Sequence, residues 1–134
     1  MTRENKELLL KDLCARLPYG VKLEHTSGLI GTLNNLTTYR LYDGDNIKDI
    51  YGAIDIFGDG NCVRVEYFRP YLFPISSMTE EQKEEYKQFL EDIDGYASSI
   101  DCVPQVDWLN KNHFDYRGLI PLGLAIDATD KNIY

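Results

Sequence analysis

The chain has 134 residues, 43% hydrophobic and 27% charged, with a formal net charge of −8. A chain of this length buries roughly two thirds of its unfolded surface, so one core suffices without disulfide staples, and the balanced composition excludes a disordered chain. The charge is uneven: residues 1–77 carry nine Lys/Arg against ten Asp/Glu, and residues 78–134 carry five against twelve, an acidic balance that opposes phosphate backbones and anionic lipid headgroups.

Apolar residues at helical spacing (Leu9, Leu10, Leu13, Cys14, Leu17) predict a first helix from about Asn5 to Leu17, with Glu4, Lys11 and Asp12 opposite or at its edges. Pro18-Tyr19-Gly20 stops it. The pattern then shortens into β-branched and aromatic runs: Val21 to His25, Leu29 to Leu33 with Gly31 as a bulge or bend, and Thr37 to Tyr42. Asn34-Asn35 and Asp43-Gly44-Asp45-Asn46 are turns. Ile50 to Phe57 and Cys62 to Phe68 flank Gly58-Asp59-Gly60-Asn61, the clearest hairpin signal. These tightly joined strands predict an antiparallel meander.

Prolines at 70 and 74 make Arg69 to Pro74 an extended connector. Thr79 and Gln82 form a capping-box pattern opening an acidic helix to about Ile93, with Tyr86, Phe89, Leu90 and Ile93 as its buried stripe and Gly95 as its stop. Ser98 to Cys102 reads as a loop, and Pro104 to about Asn112 as a short helix. Asp115 is placed to cap a further turn, and Leu122 to Ala128 to form a last strand. The fold expected is a single α+β domain over residues 1–134. It has a small curved antiparallel sheet, open or curled into a barrel, covered by an N-terminal helix and two or three C-terminal helices.

No spacing announces chemistry. His25, His113 and the three cysteines are isolated from one another, without the close pairs that let a short loop wrap zinc, and the Asp-rich turns lack the spacing of a calcium loop. No nucleophile elbow, phosphate-binding glycine loop or dinucleotide fingerprint is present, so no catalytic residue, metal or cofactor is expected. Cys14, between Leu13 and Ala15, reads as a buried, inert thiol. Cys62 or Cys102 meeting His25 or His113 in the fold would be the route to an enzyme. The odd cysteine count, and an opening without an apolar leader, point to reduced thiols in the cytoplasm, with no membrane span.

Two clusters carry the binding hypotheses. Trp108, His113, Tyr116 and Arg117 combine the residue types that dominate protein-binding hot spots with a histidine able to titrate near neutrality. The competing reading has Trp108, Leu109 and Phe114 anchoring the C-terminal half to the sheet. Arg64, Tyr67, Arg69 and Tyr71 interleave cations and aromatics as a nucleic-acid stacking platform on a small barrel would, against the opposing global charge.

Three stretches carry a resemblance: Leu8 through Lys22, Arg69-Pro70-Tyr71-Leu72 with Ser76 to Glu81, and Asp107 through Ala128. They resemble an uncharacterised family of small proteins from gut Bacteroidetes and their phages or prophages, over about half of the chain. The resemblance implies a bacterial, mobile-element context and brings no catalytic residue or cofactor. The leading expectation is therefore a non-enzymatic protein-binding or accessory module. A nucleic-acid-associated module and an enzyme whose site only the fold assembles are the alternatives.

Overall fold

The Thr2 hydroxyl accepts the Asn5 N–H at 3.1 Å and caps α1, Arg3–Arg16, in the computed structural model, which describes residues 1–56, 58, 62–91 and 103–134. A 3-10 turn over Leu17–Tyr19 follows, and Gly20 at φ +69° turns the chain into β1, Lys22–His25. The strands that follow are β2 (Ile30–Thr32), β3 (Asn35–Asp43), β4 (Asn46–Asp55), β5 (Val63–Arg64) and β6 (Phe68–Pro74). Helices α2 (Glu80–Glu91) and α3 (Val103–Lys111) and the short strands β7 (Phe114–Asp115) and β8 (Ile126–Asp127) complete the order.

The architecture is α+β, with an N-terminal helix and mainly antiparallel sheets that, among the described residues, do not close into a barrel. One sheet runs β2-β1-β6-β7, antiparallel between β2, β1 and β6, with β7 and β8 lying parallel against β6. The other is β3-β4-β5, antiparallel throughout. The chain passes from one sheet to the other at Leu33-Asn34, where the Asn34 N–H donates to Asp55 O at 2.9 Å, so these residues cross between sheets rather than closing a hairpin.

A long core joins α1 (Leu9, Leu10, Leu13) to Leu23, Ile50, Ile54, Val65, Phe68, Leu72 and Leu119. A smaller cluster of Met78, Trp108, Leu109 and Phe114, with Tyr86 against it, ties α2 and α3 to the end of β6. Thr79 and Gln82 form the reciprocal capping box, at 2.9 and 3.1 Å. Asp115 accepts the Leu119 and Ile120 N–H groups, both at 2.9 Å, and so caps the turn after β7. The Asp43–Asn46 turn closes a two-residue hairpin with Gly44 at φ +64°.

Several expectations are corrected. The segment 69–74 is extended but is no connector: it belongs to β6, the central strand of its sheet. Pro70 precedes the residues that pair with β8, and Pro74 ends the strand, where a missing N–H costs least. The strand expected over Cys62 to Phe68 breaks after Arg64 into a 3-10 turn, Val65–Tyr67, which carries the chain to the other sheet. The last strand shrinks to Ile126–Asp127. Gly31 pairs in register with Leu23 and marks a close approach instead of a bulge, since a Cβ there would lie 2.8 Å from Ile56 Cδ1. The side chains of Phe89 and Leu90 in the expected buried stripe, and the expected elements over residues 92–102 with Ile93, Gly95 and the loop from Ser98 to Cys102, lie outside what is described, as does most of the Gly58–Asn61 turn.

Candidate functional site

Of the residues expected at a protein contact, Trp108 is buried and His113, Tyr116 and Arg117 are half-buried. Trp108 is stacked on Phe114 at 5.7 Å between ring centroids and tilted against Tyr86 at 5.6 Å. The Tyr116 hydroxyl donates to Asn110 Oδ1 at 2.9 Å and accepts from Arg117 Nη1 at 2.6 Å. Arg117 continues to Asp12 Oδ1 at 3.1 Å. Asp12 and Arg16, one helical turn apart on α1, are both 0% exposed. Arg16 grips Asp12 through Nε at 2.7 Å and Nη2 at 3.1 Å, and donates to Phe114 O at 2.6 Å. Both guanidinium groups lie over the Tyr116 ring, at 5.3 Å for Arg16 and 4.6 Å for Arg117. The cluster therefore bolts the C-terminal third of the chain to α1 by a buried ionic network.

His113, at φ +63°, stacks on Tyr134 at 3.8 Å. Burial, with Arg16 nearby, pushes its pKa down to about 4. The Tyr134 hydroxyl accepts from Lys22 N at 2.9 Å and donates to Tyr71 O at 2.7 Å, and burial raises its pKa to about 12.

The cation–aromatic series is split. Arg64, Tyr67 and Arg69 are exposed, whereas Tyr71 is buried, its hydroxyl donating to the Glu24 carboxylate and its pKa raised to about 12 by burial and by Glu24. Arg64 pairs with Glu66 at 2.9 Å. Tyr67 and Arg69 line a cleft of about 160 Å³ with Glu24, His25, Thr26 and Glu66, where two carboxylates oppose a phosphate backbone. The cleft puts His25 near carboxylates, as an assembled enzyme site would. It is smaller than the few hundred Å³ usual for substrate pockets, and His25 Nδ1 is engaged by the Ser27 hydroxyl at 2.9 Å and the Ser27 N–H at 3.1 Å. Among the described residues no three His, Cys, Asp or Glu side chains stand together as metal ligands, and no helix is long and apolar enough to cross a membrane.

The site that sequence reasoning missed is a groove of about 420 Å³ between α1 and the inner face of the β3–β4 hairpin. Glu7, Leu10, Lys11 and Cys14 give one wall, at the i, i+3, i+4, i+7 spacing of a single helical face. Thr38 and Arg40 of β3 give the other, and Ile47 and Ile50 of β4 join Leu10 in the apolar floor. Cys14 is exposed on this face, not buried as its apolar neighbours suggest, because α1 turns Leu9, Asp12, Leu13 and Arg16 into the protein instead. Partial burial raises the thiol pKa, so Cys14 holds little thiolate near neutral pH and is no activated nucleophile. Glu7 is held by Arg3 at 4.0 Å, while Lys11 and Arg40 have no ion-pair or hydrogen-bond partner among the described residues.

Beside the groove runs an open edge. β4 is the only strand paired with β3 among the described residues, and the outer side of β3 carries no strand. Tyr39, Leu41 and Tyr42 are 58%, 43% and 59% exposed on it. The usual protections of an edge, proline and lysine, are absent from Asn35–Asp43, and a bulge interrupts the register only at Leu41/Tyr42. The other outer strands among the described residues, β2, β5, β7 and β8, have two or three residues each, too few for a stable added strand. No protein-family model, curated protein or solved structure matches the chain.

Proposed function

We propose that the protein is a non-enzymatic protein-binding module, an accessory protein that takes up an extended segment of a partner chain as an added strand along β3. The observation that carries this reading is the open β3 edge with a groove against α1 on its inner side. Strand addition draws affinity from main-chain hydrogen bonds at a free edge and specificity from pockets that receive alternate side chains, and this arrangement offers both. The exposed Tyr39, Leu41 and Tyr42 add the aromatic and aliphatic surface from which binding hot spots are built. A bacterial cytoplasmic setting near a mobile element, as the family resemblance implies, is part of the same proposal.

The experiment is selection of randomised displayed peptides on the intact protein, followed by binding of the enriched peptides to Tyr39→Lys and Leu41→Lys. Both positions are exposed, so the variants should keep the wild-type circular dichroism and melting temperature. Enriched peptides should lose binding to both variants, because lysine discourages pairing at an edge. No enrichment, or enriched peptides indifferent to both substitutions, would remove the reading.

A further inference from the structure

We infer that the segment received along β3 is an acidic–aliphatic one, with an aliphatic side chain that enters the groove and a carboxylate that meets Lys11 and Arg40. The inference rests on the strand-addition reading and adds the chemistry of the partner. The chain is acidic overall, at −8, yet the groove is locally cationic: Glu7 is paired with Arg3, which leaves the charges of Lys11 and Arg40 uncompensated on opposite walls. Between them the floor is apolar, from Leu10, Ile47 and Ile50. A cation on each side of an apolar floor is complementary to a carboxylate next to an aliphatic chain on one face of a strand. In an added strand the inward residues are every second one, so an Asp-x-Leu-x-Asp pattern puts both groups on the inner face. Thr38 and Arg40, two residues apart on β3, line the groove by the same alternation. The carboxylate can come from an acidic side chain or from the end of a partner chain, and the chemistry at Lys11 and Arg40 is the same.

Cys14 supplies the readout. It is exposed and lines the groove, so an occupant covers it. The test uses the full chain with Cys62→Ser and Cys102→Ser, and follows modification of Cys14 by a maleimide at mildly alkaline pH. Three acetylated heptapeptides are titrated. The first is Thr-Asp-Thr-Leu-Thr-Asp-Thr with an amidated end. The second replaces Asp by Asn and is also amidated. The third is the Asn peptide with a free terminal carboxylate. The first should protect Cys14 at about tenfold lower concentration than the second, with the difference shrinking in high salt and disappearing in Lys11→Glu and Arg40→Glu. Protection by the third peptide but not the second assigns the carboxylate to a chain terminus and supports the inference. Equal protection by the first two, or a difference that survives both charge reversals, overturns the acidic preference while leaving strand addition standing. If no peptide protects Cys14, the inference falls. Strand addition falls with it only if display enriches no peptide or the enriched peptides ignore both Tyr39→Lys and Leu41→Lys.

Discussion

Leu10 of α1 rests against bare backbone at Gly52 of β4, so closely that a Cβ on Gly52 would stand 2.2 Å from Leu10 Cδ2. This contact sets how near the helix lies to the hairpin, and hence how wide the groove opens over Thr38 and Arg40. Gly52→Ala should force Leu10 aside and destabilise the protein by about 1–3 kcal/mol, as overpacking does. Leu10→Ala should recover part of that loss in the double variant, because the obstructing side chain is gone. Urea titration of the four proteins measures the coupling, and strictly additive losses would contradict the contact.

Asp12 and Arg16 form the second relationship with large consequences. Asp12→Ala leaves a fully buried guanidinium without its carboxylate, and should cost about 3–5 kcal/mol. Replacing the pair together by Asp12→Leu and Arg16→Met should cost less, because the fully buried Arg16 guanidinium is gone and only the partly exposed Arg117 loses its carboxylate. Denaturation midpoints of the two variants check this ordering.

Much of the fold could be read locally, and the functional geometry could not. The α1 helix with its buried Leu9, Leu10 and Leu13, the Thr79–Gln82 box, the Gly44 turn and the Asp115 cap depend on residues within a few positions of one another, and all form, although Cys14 of the expected stripe is exposed. The prolines of β6 carry the local signal of a connector, and only distant pairing with β1, β7 and β8 makes the segment a central strand. An Asp and an Arg four apart on a helix look like a solvated pair. Asp12 and Arg16 are buried because Arg117 and Phe114 arrive from about a hundred residues away. Trp108, Tyr116 and Arg117 stand out in composition; Trp108 packs in the smaller apolar cluster, and the half-buried Tyr116 and Arg117 join the Asp12–Arg16 network. The groove left no trace because its walls, Lys11 and Arg40, meet only through the packing of α1 on the hairpin.

His113 should make stability fall in mild acid. Its pKa is about 4 in the folded chain against about 6.5 unfolded, so between these values the unfolded state binds more protons. Stability is full above pH 6.5, declines as pH falls toward 4, and loses no more from this group below that. Allowing for solvent screening, the loss is about 2 kcal/mol. Comparing wild type with His113→Gln by urea denaturation across this range checks it: the variant should show a shallower decline.

The proposed strand addition puts the partner's backbone against β3. Amide hydrogen exchange over residues 35–43, with and without a saturating display-selected peptide, tests it most directly. Exchange in β3 should slow at least several-fold, because newly paired N–H groups are withdrawn from water, with β2 unchanged. Unchanged exchange across β3 while the peptide is bound, or protection confined to residues 30–32, would contradict it.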